Sequence, residues 1–422
     1  MALSPVEQRV CDKILGQGDE LVQVLSNLVA INTSDPPGEN YDKCAEVLVQ
    51  YLSSFASNVA IIEIPEEYLP RHPSTENPLP RPNVIAEMGD SKKEFCLHFN
   101  GHYDVVPATS GWNTPPYKAS IKDGRLYGRG SSDMKAGIAA VMVAAKSLKL
   151  ENIPLRGKIS FSFVPDEEND RSAGSKFLTE QQNIQANYCI IAEPSSSSTL
   201  FNGHKGDLWL EITTYGKAAH ASSPWKGLNA FDEMVEVINE INTRIRPRLF
   251  NQEDINLSTS AVSNIGTMTL GGIVSTGEST NVVPSQCCMT IDRRLAPGES
   301  VQQTLAEFSS ILTSLRSRNP KFQGEIKILS QYEACSTAIE SRLVNTLIGS
   351  LQDITGKPPE ISLMTAGCDM RYFHSVGIPT VIYGPGDLSM AHQVDEYVEI
   401  RQLVTAAQVY ALMSIRLLGL QP

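Results

Sequence analysis

Four short apolar runs in this chain each lead into a residue that can hold a metal ion or move a proton. Residues 95–99 run into Asn100-Gly101-His102-Tyr103-Asp104, residues 159–164 into Pro165-Asp166-Glu167-Glu168, and residues 188–192 into Glu193. Residues 380–383 open a glycine-rich loop that reaches His392. A fifth group is Gly128-Arg129-Gly130-Ser131-Ser132-Asp133-Met134-Lys135, where an aspartate stands at the head of a long helical pattern. Zinc accepts imidazole nitrogen and carboxylate oxygen, and two ions about 3.5–4 Å apart need one shared carboxylate and roughly two further ligands each. The residues fill that scheme with Asp133 shared, His102 and Glu193 on one ion, and Glu168 and His392 on the other.

Glu167 and Glu168 are neighbours and do not readily take the same ligand position. A dinuclear hydrolase also needs a base to take a proton from water, so Glu167 is assigned as the base and Glu168 as the ligand. Asp104 lies two residues after His102, on the same side of an extended segment. There it can accept the second N–H of the imidazole and fix its tautomer.

Each residue alone has a structural explanation. Asp133 is a good N-cap for the helix that follows, and 167–170 reads as a solvated acidic turn. His392 could be a surface histidine. The coincidence decides: the chain has only 7 histidines, and two of them share strand-end register with isolated carboxylates. His72 falls in a proline-rich loop and reads as solvent-facing, His98 reads as a packed mid-strand histidine, and His204 and His374 have no partner pattern.

The elements that must position these groups follow from periodicity. Ser4-Pro5 is an N-cap with proline at the first helical position, and a helical hairpin opens the fold. Residues 64–82 carry six prolines and form a surface loop. Strand and helix then alternate over 95–192, which is βαβ rhythm and a mostly parallel sheet. From about residue 207 the order becomes strand, helix, two strands, helix, strand, with the middle strands at 259–270 and 286–295. That βαββαβ order matches a small ferredoxin-like domain. The α/β rhythm resumes near residue 361, so the second domain is an insertion, giving 1–206 and 332–422 as the two parts of one domain and 207–331 as the other. In an open α/β sheet, ligands bind beyond the carboxyl ends of the strands, where the polar residues above lie.

With 422 residues the chain exceeds one ordinary core, in line with this division. The balance of 35 Lys and Arg against 47 Asp and Glu, without a basic stripe, argues against nucleic acid and anionic membrane as partners. No basic-then-apolar leader and no long apolar window are present, so a cytoplasmic location is expected. The 8 cysteines are scattered without CxxC pairs and are expected to be reduced and mostly buried.

Five motifs occur in order: His102-Tyr103-Asp104-Val105-Val106-Pro107, residues 127–135, Asp166-Glu167-Glu168, Glu193-Pro194 and His392-Gln393-Val394-Asp395-Glu396. Together, over about residues 15–415, they resemble the family of acetylornithine deacetylase, succinyl-diaminopimelate desuccinylase, aminoacylase-1 and glutamate carboxypeptidase. The resemblance implies a zinc-exopeptidase-like α/β domain with an inserted lid or dimerisation domain, a homodimer, and two zinc ions (sometimes cobalt) on the ligands already named. It further implies that His220, in residues 216–224, reaches the tetrahedral intermediate, often from the partner subunit. Asn281, Arg294 and Arg371 become contacts for the substrate carboxylate, a role suited to the guanidinium fork. Cys368 and Ala136 depart from the family pattern, the first where a small residue followed by Thr or Ser is common and the second where Gly is frequent.

The expected reaction is therefore hydrolysis of the amide of a small N-acyl amino acid. Gly384-Pro385-Gly386 and His392-Gln393 lean toward the acetylornithine deacetylase side. A dipeptidase or carboxypeptidase with the same chemistry is the alternative within the class. A non-catalytic amino-acid-binding protein on the same scaffold is the alternative outside it, and the presence of Glu167 weighs against it.

Overall fold

The computed structural model describes residues 2–65, 68–69, 79–90, 95–168, 173–181, 184–249, 264–277 and 279–421. Most of the proline-rich loop, His72 and the first five residues of the strand expected at 259–270 lie outside these. The chain divides into two compact units, one of Met1–Gly203, Ser336–Ile361 and Cys368–Pro422, the other of His204–Cys335 with Ser362–Gly367. The short stretch 362–367 thus groups with the inserted segment, whereas the sequence places it in the second part of the first domain.

The first unit opens with α1 (Pro5–Leu15), α2 (Gly18–Val29) and α3 (Tyr41–Leu52). Ser4 and Glu7 form a capping box at the start of α1, with Pro5 inside the first turn. Next come β1 (Ser57–Glu63), β2 (Pro82–Met88), β3 (Cys96–His102), the short β4 (Ser120–Lys122) and β5 (Arg125–Tyr127), and α4 (Lys135–Leu150). They are followed by β6 (Lys158–Val164), α5 (Ala173–Gln181), β7 (Tyr188–Ile191) and β8 (Thr199–His204). The inserted segment holds β9 (Gly206–Tyr215), α6 (Ala230–Arg244), β10 (Thr267–Thr276), β11 (Gln286–Leu295), α7 (Val301–Arg318) and β12 (Gln323–Tyr332). The chain then adds β13 (Cys335–Ser336), α8 (Arg342–Thr355), β14 (Glu360–Met364), α9 (Met370–Ser375), β15 (Thr380–Ile382), β16 (Tyr397–Glu399) and α10 (Ile400–Leu418).

The large sheet has nine strands in the order β1-β2-β6-β3-β7-β15-β8-β13, with β14 on β8. Its centre is parallel, β3 pairing with β6 and β7, and β7 with β15. The strands β1 and β2 add an antiparallel edge. Every residue of β3 is buried, which is why it reads as a continuous apolar run rather than an alternation. One face of the sheet is covered by α4, an alanine-rich helix buried along almost its whole length. Small residues let it approach closely: a Cβ on Gly137 would lie 2.0 Å from the carbonyl oxygen of Ala192. Only glycine fits there, and the contact fixes the strand end that presents Glu193.

The inserted segment is a four-stranded antiparallel sheet in the order β10-β11-β9-β12. It has its own core of Leu208, Leu210, Ile212, Met234, Val237, Met289, Ile291, Phe308 and neighbours, packed between the sheet and α6 and α7. This is the split βαββαβ arrangement expected from the order of its elements. All eight cysteines are free thiols, seven of them buried. Among the described residues no helix is long and apolar enough to cross a membrane.

Mid-strand His98 is buried, its two ring nitrogens 2.8 and 2.7 Å from the hydroxyls of Ser160 and Ser162. Burial pushes its pKa down to about 3, so the folded chain holds it neutral while the unfolded chain protonates near 6.5. Unfolding therefore takes up a proton below pH 6.5, and this histidine costs stability progressively as pH falls from about 6.5 toward 3. The free energy of unfolding of His98→Gln, which keeps a polar partner for the serines, is expected to gain on wild type by about 3 kcal/mol between pH 7 and pH 4. Urea titrations at a series of pH values measure this. A difference that stays constant across them would show that His98 is charged in the fold.

Candidate metal centre

The strand ends bring the predicted residues of the first unit together. His102 closes β3, and Glu193 stands two residues beyond β7. Asp133 lies just before α4, but the helix starts at Lys135 with Met134 at the N-cap and no side-chain cap bond. Its carboxylate instead faces two imidazoles: Oδ1 is 3.1 Å from His102 Nε2, and Oδ2 is 3.6 Å from His392 Nε2. Glu193 Oε1 completes one side at 3.3 Å from His102 Nε2, and Glu168 Oε2 the other at 2.8 Å from His392 Nε2. The result is two groups of three ligand atoms, His102–Asp133–Glu193 and Asp133–Glu168–His392, each within 4.8 Å, sharing Asp133.

Glu167 Oε2 is 3.9 Å from His102 Nε2, near both groups. The sequence expectation that the carboxylate of Asp104 anchors the His102 ring is met by a different atom. His102 Nδ1 lies 3.0 Å from the backbone carbonyl oxygen of Asp104 and 3.5 Å from its carboxylate. The carboxylate is turned to accept the N–H of Glu168 at 3.0 Å.

Electrostatics strains this cluster when no cation is present. Burial pushes Glu167 well above the ordinary carboxylate range, with Glu193, Asp369 and Glu168 repelling it against the pull of His102. Glu168 is raised for the same reasons, burial and then Asp133. Glu193 is pushed up to about 7 by burial and by Asp133. Burial acts against the charge on His102, yet Glu193, Asp104 and Asp133 outweigh it and raise the imidazole. Four carboxylates and two imidazoles gathered at this density are a donor set matched to divalent cations, which would relieve the repulsion that burial sharpens.

Behind the ligands lies a second layer that sequence reasoning left unassigned. Asp166, at φ +64°, takes Arg81 Nε at 2.9 Å and the hydroxyl of Tyr41 at 3.4 Å, which anchors the turn carrying Glu167 and Glu168. Burial pushes Asp166 up to about 7 against the pull of Arg81, with Asp104 and Asp35 repelling it. Asp369 is buried and accepts the hydroxyl of Ser175 at 2.6 Å. Burial raises its pKa while Ser175 and Arg371 hold it back, and its charge bears on Glu167 and Glu193. Glu396 is fully buried against Arg129 at 2.6 Å. Asp166 and Glu396 fall inside the motif segments and Asp369 lies two residues before Arg371, so the signal was an acid within a few residues of an assigned one.

The remaining predicted residues divide between the units. Arg371 lies in the first, its guanidinium over the Tyr372 ring at 4.8 Å. His220, Asn281 and Arg294 lie in the second. His220 is exposed, and its Nδ1 accepts the N–H of Ser222 at 3.1 Å. It pairs through the backbone with Val282, and the N–H of Ala221 donates to Asn281 O at 2.9 Å, so His220 and Asn281 are neighbours. Arg294 is far from them, at the other end of β11, where its Nε and Nη2 donate to Asp292 at 2.8 and 3.0 Å.

Comparison with known proteins adds to this geometry. The model of peptidase family M20/M25/M40 matches residues 98–416, a span holding every residue of both ligand groups. The chain belongs to this family. As an M20/M25/M40 member it is a metal-dependent amidohydrolase. It is 25% identical over 431 residues to a probable succinyl-diaminopimelate desuccinylase of Staphylococcus aureus, covering 94% of this chain and 98% of that one. Its fold is similar to human carnosine dipeptidase 1, with a TM-score of 0.72 at 17% identity over 98% of this chain and 99% of the other. A dinuclear metal-binding M20 peptidase of Bacillus subtilis superposes with a TM-score of 0.69 at 15% identity, over 96% and 99% of the two chains.

Proposed function

We propose that this M20/M25/M40 member hydrolyses the amide bond of a small N-acyl amino acid, with two zinc ions (or cobalt) held by His102, Asp133 and Glu193 and by Asp133, Glu168 and His392. The observation that carries the reading is the carboxylate of Asp133 set between two imidazoles, with Glu167 beside them. The ions, when bound, supply a polarised scissile carbonyl and a water of lowered pKa. Glu167 takes the proton of that water and delivers it to the leaving amine nitrogen as the C–N bond breaks, giving a carboxylic acid and an amine. Asp104 holds the His102 ring through its carbonyl and the Glu168 backbone through its carboxylate, keeping ligand and base in register. His220 donates to the oxyanion that develops on the former carbonyl oxygen, and Asn281, Arg294 and Arg371 receive the substrate carboxylate.

The inserted unit supports a homodimer in this scheme. Between Gln286, beside the His220–Asn281 neighbourhood, and Arg294, eight strand steps span about 27 Å. That is longer than a small substrate, so His220 and Arg294 of one copy do not converge on the same molecule. Two copies, each lending His220 and Asn281 to the other, resolve the separation. The free thiols fit a reducing cytoplasm.

Amine release by the zinc-loaded chain across N-acetyl, N-succinyl and N-formyl amino acids and simple dipeptides tests the reading. Hydrolysis of one acyl subset is the expected result. Cleavage of dipeptides alone would favour the dipeptidase alternative, which the likeness to carnosine dipeptidase 1 supports. Two bound metals with no hydrolysis of any compound would leave the amino-acid-binding alternative.

A further inference from the structure

Glu396 is fully buried, four residues after His392, and belongs to neither donor group. It faces the loop that carries Asp133. Oε1 accepts the N–H of Ser132 at 2.8 Å and that of Asp133 itself at 3.0 Å, and Oε2 accepts the N–H of Gly130 at 3.2 Å. Three backbone donors from four consecutive residues thus wrap one carboxylate, an arrangement that elsewhere captures anions. Arg129, 1% exposed, adds Nη1 to Oε2 at 2.6 Å and reaches back with Nη2 to the carbonyl oxygen of His392 at 3.4 Å. Its guanidinium is held over the Trp112 ring at 5.2 Å. The N–H of Gly128 donates to the backbone carbonyl of Glu396 at 2.9 Å, so the two loops are joined by main chain as well.

His392 needs such a brace. It sits on a loop, its side chain 51% exposed, with φ +65°, a conformation that a non-glycine residue keeps only where its surroundings hold it. Its partners in the second donor group are Asp133, on the loop that Glu396 grips, and Glu168. The first group shares Asp133 but takes its other two ligands, His102 and Glu193, from strand ends of the central sheet, whereas the second has both Asp133 and His392 on the loops that Glu396 joins.

We infer that Glu396, clamped by Arg129, is a positioning residue that sets His392 against Asp133 and so governs the second metal position selectively. The inference rests on the dinuclear reading above. Displacing partners that orient metal ligands weakens affinity by roughly 10–100-fold, and here the loss should fall on one ion of two.

Calorimetric titration of the metal-free chain with Zn2+ tests both statements separately. Wild type should bind two ions, and fewer than two would overturn the dinuclear reading itself. In Glu396→Gln, which keeps the shape but places an amide nitrogen against donors, one binding event should remain at wild-type strength while the other weakens about 10–100-fold. Adding His392→Ala to Glu396→Gln should weaken binding no further than His392→Ala alone. A merely structural role would lower the melting temperature and weaken both events alike, and that result, or two unchanged events, would overturn the inference. Should Glu396→Gln not fold, Arg129→Lys, which keeps the charge but loses the fork, decides on the same criterion.

Discussion

Glu167→Gln should keep both metals and the fold and lose about 10²–10⁴-fold in kcat, with KM little changed. The expectation comes from the contrast between two adjacent residues of one turn. Glu168 Oε2 is 2.8 Å from His392 and belongs to a ligand group, whereas Glu167 belongs to neither group and sits 3.9 Å from His102. Removing its charge takes away an acceptor for a proton and not a ligand for an ion. Zinc content by elemental analysis, measured beside steady-state kinetics, separates the two roles. Loss of an ion from Glu167→Gln would make Glu167 a ligand, and unchanged turnover would remove it from the chemistry.

Asp133→Ala should be the more damaging change, because one side chain serves both donor groups. Zinc stoichiometry is expected to fall from two to one or fewer, and turnover to fall below that of Glu167→Gln. An ion at about a thousand times its dissociation constant stabilises the fold by about 4 kcal/mol, so the rise in melting temperature that zinc gives wild type should largely vanish in the variant. The competing view of Asp133 as a helix cap predicts a different outcome. It would cost the metal-free chain about 0.5–2 kcal/mol and leave zinc binding intact. The helix begins two residues later without a side-chain cap bond, which removes the basis for that view.

Much of the centre could be read from the sequence because parallel strands deliver their following residues to one edge of the sheet. His102, Glu193 and the pair Glu167–Glu168 each come directly after a buried apolar run, so the pattern that locates the strand also locates the residue. The ferredoxin-like order of the inserted unit was legible for a similar reason, since its strands and helices differ in period. Other features had no local signature. The bond from Asp104 to the Glu168 backbone joins residues 64 positions apart, and that from Arg81 to Asp166 joins residues 85 apart. Neither residue type nor spacing marks such pairs. Asp133 read equally well as a cap, because an aspartate before a helix satisfies both descriptions until its partners are known. Gly137 carries no signal of its own in the sequence, and its purpose appears only against the carbonyl of Ala192.

The division of the first unit into separate stretches of chain has a bearing on how the protein is made. Domains tend to fold as the ribosome releases them, N-terminal parts first. His102, Asp133 and Glu193, with Glu168, have all emerged before the inserted segment begins, while His392 follows it. The residues of the first donor group are therefore all present early in synthesis, but the second waits for some two hundred further residues and for the intervening unit. A chain terminated before residue 392 lacks the histidine of the second donor group.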